Sequence, residues 1–133
     1  MKQSAAVVLE QRVIALRAVL ASDPTDDVAL FGLGKALLEL GRAAEAEYEL
    51  RRLLEILPDY TAAHRELGRT LLLAGRVGDA RNVLERGCAV ARETGDLQTG
   101  REMQVLLRRA ERALKGGAGG QPEKSASPSD RRD

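Results

Sequence analysis

Apolar residues in this chain recur at spacings of three and four, and no window alternates as a strand would. Leu9, Val13, Leu16 and Leu20 share one face of a helix predicted over 4–22. Val7 and Ile14, with Ala18 and Ala21, lie on roughly the opposite face. Ser22-Asp23-Pro24 ends that helix, because the residue before a proline resists the α region. The same spacing predicts helices over about 27–40, 43–57, 60–74 and 77–93, and a last one starting at Asp96 or Thr99 and reaching about Lys115. Gly41, Gly75 and Gly95 are the expected left-handed stops. Thr25 or Asp26 is placed to cap the second helix, and Asp59 the fourth. The fold class is all-α, and the short connections make neighbouring helices antiparallel.

The pattern also repeats at a longer period. Ala29, Leu33, Gly34, Leu37, Leu38, Gly41, Arg42, Ala46, Leu50 and Arg52 return 34 residues later as Ala63, Leu67, Gly68, Leu71, Leu72, Gly75, Arg76, Ala80, Leu84 and Arg86. A fixed period of that size marks stacked helical units. A glycine inside a helix costs about 1 kcal/mol against alanine, so Gly34 and Gly68 imply a packing reason. They and Ala46 and Ala80 are expected where helices approach closely.

The unit of 34 residues, with Leu-Gly early, Ala midway and Pro at its end, resembles the tetratricopeptide repeat (TPR). The first copy has Leu30, Leu33-Gly34, Leu37, Ala46, Leu50 and Pro58 at the pattern positions; the second has His64, Leu67-Gly68, Leu71, Ala80, Leu84 and Arg92. Leucine replaces the pattern's aromatics, and the second copy loses its proline. The resemblance implies a short right-handed α-solenoid of about six helices. Leu16, Arg17, Leu20 and Pro24 precede Leu50, Arg51, Leu54 and Pro58 by one period, so 4–24 is read as the second half of a repeat. Units follow at 27–60 and 61–94. The helix over 95–115 is read as a cap, since Arg101-Glu102 fall where Leu-Gly is due. Domain 1–115 is then followed by a Gly-, Ser- and Pro-rich stretch, 116–133, expected to be a disordered tail.

Composition narrows function mainly by exclusion. Lys and Arg number 21 against 20 Asp and Glu, so net charge draws the chain to neither nucleic acid nor a membrane surface. One cysteine, Cys88, excludes an internal disulfide, and no stretch nears the roughly 20 apolar residues that span a bilayer. The N-terminal run Ala5–Leu9 is too short for a signal sequence, so a cytoplasmic location is expected. His64, the only histidine, takes a packing position, and Cys88 an inner one. No nucleophile–base pair, phosphate loop or N/S metal set emerges, so neither enzyme activity, a cofactor nor a small-molecule substrate is expected.

What remains is surface. By the resemblance, the first helix of each unit lines a concave groove that holds a peptide. The matching positions are Val28, Phe31, Lys35 and Leu38, then Ala62, Arg65, Arg69 and Leu72. Their steps of three and four place each set on one face. A partner segment with acidic and apolar residues is expected there, Arg65 and Arg69 gripping carboxylates and Phe31 anchoring an apolar side chain. Relatives that clamp chaperone C-termini use Lys and Asn at positions that here read Phe31, Lys35 and Glu66, so that subtype is not expected. Val7 and Ile14 offer a surface for a homodimer. The last helix carries Arg101, Arg108, Arg112 and Lys115 on one stripe, with Arg109 beside it, and a nucleic-acid-associated regulatory subunit is the alternative reading. Glu102 and Glu111 dilute that stripe, and it has no aromatic to stack on bases.

Overall fold

Apolar faces at helical spacing leave each helix unstable until it packs, and six helices pack in series. The computed structural model describes residues 4–116, so the expected tail beyond Gly116 lies outside the described residues. The helices are α1 (Ala5–Ser22), α2 (Asp27–Glu39), α3 (Ala43–Ile56), α4 (Thr61–Leu73), α5 (Val77–Thr94) and α6 (Leu97–Gly116). Each packs on the next; α4 also touches α2 and α6, whereas α1, α3 and α5 meet through long side chains without close backbone contact. The result is an all-α solenoid with α2, α4 and α6 on the inner side and α1, α3 and α5 on the outer side.

The helix ends follow from local chemistry. Asp26 accepts the Ala29 N–H at 3.0 Å, and Ser4 accepts that of Val7 at 3.1 Å. Asp59 does not cap α4: Tyr60 occupies the cap position, and no side chain satisfies the first turn. Gly41 and Gly75 have φ of 78° and 79°, and each terminus is closed in the same way. Gly41 N–H reaches Leu38 O and Arg42 N–H reaches Leu37 O, as Gly75 and Arg76 do with Leu72 and Leu71. The arginine after each glycine then ties two outer helices together. Arg42 bonds Glu45 of α3 and Glu10 of α1; Arg76 bonds Asp79 of α5 and Glu47 of α3.

The core is aliphatic. Leu30, Leu33, Leu37, Leu50, Leu53, Leu67, Leu71 and Leu84 are buried, in two clusters that share Phe31 and Leu54 as half-buried bridges. The mid-helix glycines have the expected packing reason. A Cβ on Gly34 would lie 2.6 Å from Leu50 Cδ2, and one on Gly68 would lie 2.4 Å from Leu84 Cδ2.

One expectation about the last helix is corrected. Pro58 follows closely on the end of α3 at Ile56, but the second unit has Arg92 in its place, and α5 continues another turn to Gly95. Helix α6 therefore begins 36 residues after α4, not 34. Met103 and Gln104, not Arg101 and Glu102, occupy the Leu-Gly place, and Met103 is fully buried. Gly87 makes room for it: a Cβ there would lie 2.5 Å from Met103 Sδ and 2.7 Å from His64 Cβ. Nothing in the period marked Gly87 in advance, because its counterpart one unit earlier is Leu53.

Candidate functional site

The inner helices place their second, fifth, ninth and twelfth residues in register along one face. On α2 these are Val28, Phe31, Lys35 and Leu38; on α4 they are Ala62, Arg65, Arg69 and Leu72. Val28 is 73% exposed, and Lys35 and Arg69 project into solvent. Phe31, Leu38, Ala62 and Leu72 are half-buried and form an apolar bed between the charges. Phe31 stacks on Tyr60 with ring centroids 5.2 Å apart, and Lys35 Nζ stands 5.5 Å from the Phe31 centroid.

The two arginines differ. Arg65 is clasped: Nε donates to Glu66 at 2.9 Å and Nη1 donates to Glu102 of α6 at 2.6 Å. Burial works against its charge, yet the hydrogen bonds it donates to Glu102 and Glu66 raise its pKa above the ordinary value. The same contact holds the Glu102 carboxyl below its usual range. Arg65 thus joins α4 to α6. Arg69 is the freer cation, its side chain 51% exposed and 3.9 Å from the buried Glu66.

Counting from the start of α6 extends the face to Gln98, Arg101, Val105 and Arg108, all exposed. Sequence reasoning missed this continuation because it assumed the unbroken period. Arg108, Arg109, Arg112 and Lys115 are exposed further along α6. On the outer side of α1, Val7 and Ile14 are 44% and 70% exposed.

The reactive residues are packed away. Cys88 is buried, and burial raises its thiol pKa. His64 is buried with its Nε2 3.0 Å from the Pro58 carbonyl, and burial lowers its pKa. Among the described residues, no three His, Cys, Asp or Glu side chains converge on a place for a metal, and no helix is long and apolar enough to cross a membrane.

A family model described as "Tetratricopeptide repeat" matches residues 3–56 and 37–100. The chain belongs to the tetratricopeptide repeat family. A TPR repeat-containing protein of Pseudomonas aeruginosa is 39% identical over 98 residues, covering 74% of this chain and 93% of that one. A solution structure from Bordetella parapertussis is 35% identical with a TM-score of 0.66, over 86% of this chain and 96% of that one. The TPR2B domain of yeast Sti1, solved in complex with pHsp70, shares the fold at 19% identity and a TM-score of 0.71, over 75% of this chain and 80% of that one. TPR domains generally serve protein–protein interaction and are typically non-catalytic. In this TPR chain the register places Lys35 and Arg69 one above the other on consecutive inner helices.

Proposed function

We propose that this chain is a non-catalytic adaptor whose inner face holds an extended or helical segment of a partner protein, rich in acidic and apolar residues. The observation that carries this is the pairing of Lys35 and Arg69, exposed at one register position beside the apolar bed of Phe31, Leu38 and Leu72. Exposed cations over half-buried apolar residues attract carboxylates and give an apolar side chain a place to desolvate. Arg65 contributes by positioning α6, and its carboxylate contacts are internal ones. The test is an array of acidic-apolar peptides probed with the full chain and with a Lys35→Glu, Arg69→Glu variant. Signal lost in the variant, and weakened by Phe31→Ala, supports the reading; a signal that survives charge reversal overturns it.

Two further features belong to this reading. The outward face of α1, with Val7 and Ile14 exposed, is a surface for self-association. One cysteine, held buried, suits a reducing cytoplasm. A second reading rests on Arg108, Arg109, Arg112 and Lys115, which form no ion pair among the described residues; a salt-dependent shift of labelled RNA or DNA would favour it.

A further inference from the structure

The outer side has two equivalent places one period apart, a first cleft between α1 and α3 and a second between α3 and α5. The first holds an ion cluster. The Glu49 side chain, only 7% exposed, is held by Arg17 at 3.5 Å and Arg52 at 3.1 Å, and Arg52 also donates to the Pro24 carbonyl at 3.0 Å. One period later both arginines are kept, as Arg51 and Arg86, but Val83 replaces the carboxylate. The Pro58 carbonyl, counterpart of that of Pro24, is taken by His64. Arg86 therefore has neither of the contacts Arg52 has, and forms no ion pair among the described residues. Arg51 is drawn aside to Glu47 at 2.8 Å.

The second cleft is a hollow of about 440 Å³. Its walls include Leu54, Leu67, Val83 and His64. Its size falls in the range of pockets that hold small groups. The Pro58 carbonyl can only accept, so His64 Nε2 carries the proton and Nδ1 is an acceptor. Nδ1 is buried and has no hydrogen-bond partner, an uncommon state for a buried polar atom. Glu55 lies on the rim and disfavours a second negative charge.

We propose that the cleft between α3 and α5 takes the C-terminal residue of a partner polypeptide, with its side chain apolar and its terminal carboxylate between Arg51 and Arg86. The molecule itself supplies the precedent, because the matching arginines of the first cleft hold a carboxylate. Arginine grips a carboxylate through paired N–H donors, and the apolar walls select the side chain. This site is on the opposite side from the groove and is independent of it.

The probes are acetyl-Ala-Ala-Leu with a free carboxylate, the same peptide as its C-terminal amide, and octanoate. Each is titrated into the full ¹⁵N-labelled chain and followed by amide shifts. The free acid is expected to give saturable shifts at residues 54–57, 64 and 82–87, and the amide to bind about tenfold more weakly or worse. Arg86→Gln should weaken the free acid by a similar factor. Val83→Glu, which restores the internal carboxylate of the first cleft, should abolish binding while leaving the spectrum folded. Lys35→Glu with Arg69→Glu should change nothing here, so failure of the cleft and failure of the groove are told apart. Equal binding of acid and amide, full binding by Val83→Glu, or no saturable shift overturns the proposal. Octanoate binding as tightly as the peptide overturns the polypeptide terminus as the occupant.

Discussion

At the scale of single residues, the glycines separate what repetition reveals from what it hides. Gly34 and Gly68 return at the same place, and that return alone predicted a close approach. The approach is that of Leu50 and Leu84, whose Cγ atoms would lie 2.7 Å from an added Cβ. Gly34→Ala or Gly68→Ala should lose up to about 2 kcal/mol, since overpacking costs about 1–3 kcal/mol and better helix propensity returns about 1. Gly78→Ala has nothing within 4 Å and should gain up to about 1 kcal/mol. Urea midpoints of the three variants check the opposite signs. Gly87 answers to Met103 and His64, contacts unique to the second unit, so no comparison of units could expose it. His64 carries a second prediction. Burial depresses its folded pKa below the ordinary 6.5, so the unfolded chain binds the proton more readily. Stability should be full above 6.5 and decline as pH falls from there to the folded pKa. Asp59 opposes this shift, and Arg86 adds to it. Because His64 is the only histidine, denaturation midpoints at pH 7.5 and 5.5 isolate it. His64→Leu, which copies Leu30 of the first unit, should flatten that dependence.

At the scale of elements, five helices were legible because period, proline and glycine agreed at their ends. The sixth was legible as a helix but misplaced in register. The cause is the loss of one proline: with Arg92 where Pro58 would recur, α5 continues until Gly95 turns left-handed at φ 80°. The sequence puts Arg65 on the groove face as a grip for a partner carboxylate, whereas in the fold Glu66 and Glu102 hold it. Three-dimensional proximity of α4 and α6, which no local pattern encodes, sets that ion pair. The start of α6 is pinned by Asp96, which accepts the Thr99 N–H at 3.3 Å and the Thr61 hydroxyl of α4. The Thr61 hydrogen bond is the main cause of its lowered pKa, followed by that to Thr99. Asp96→Ala should cost about 1–2 kcal/mol, the usual range for a lost cap. Hydrogen exchange should localise the loss to α6 and the first turn of α4. Uniform loss of protection along the whole chain would contradict this assignment.

At the scale of the whole molecule, the two ends of the array are unlike. Among the described residues the far end is α6, whose exposed residues include Gln104, Glu111 and Arg112. The near end is α1, an outer-type helix with no inner helix before it among the described residues. Val13 and Leu20 are buried on its inward side, with Leu9 and Leu16 half-buried. Its outward side carries Val7, Gln11, Ile14, Ala18 and Ala21, all exposed and spaced four, three, four and three. That spacing matches the seam of a two-helix coiled coil, and small residues at two of its five places leave room for a second backbone. In the proposed dimer a second copy of α1 meets the seam about a two-fold axis, each chain offering the same face. The only polar member, Gln11, can bond across the axis to its own copy. Sedimentation of the full chain should therefore give a mass that rises with concentration toward twice 14.4 kDa. Ile14→Glu should give a monomer at every concentration, because two carboxylates would meet at the centre of the seam. The helix content of that variant should be unchanged, since Ile14 is 70% exposed and makes no part of the core. A wild-type chain that stays monomeric at all concentrations would remove the dimer and leave α1 as an apolar end with no partner of its own kind.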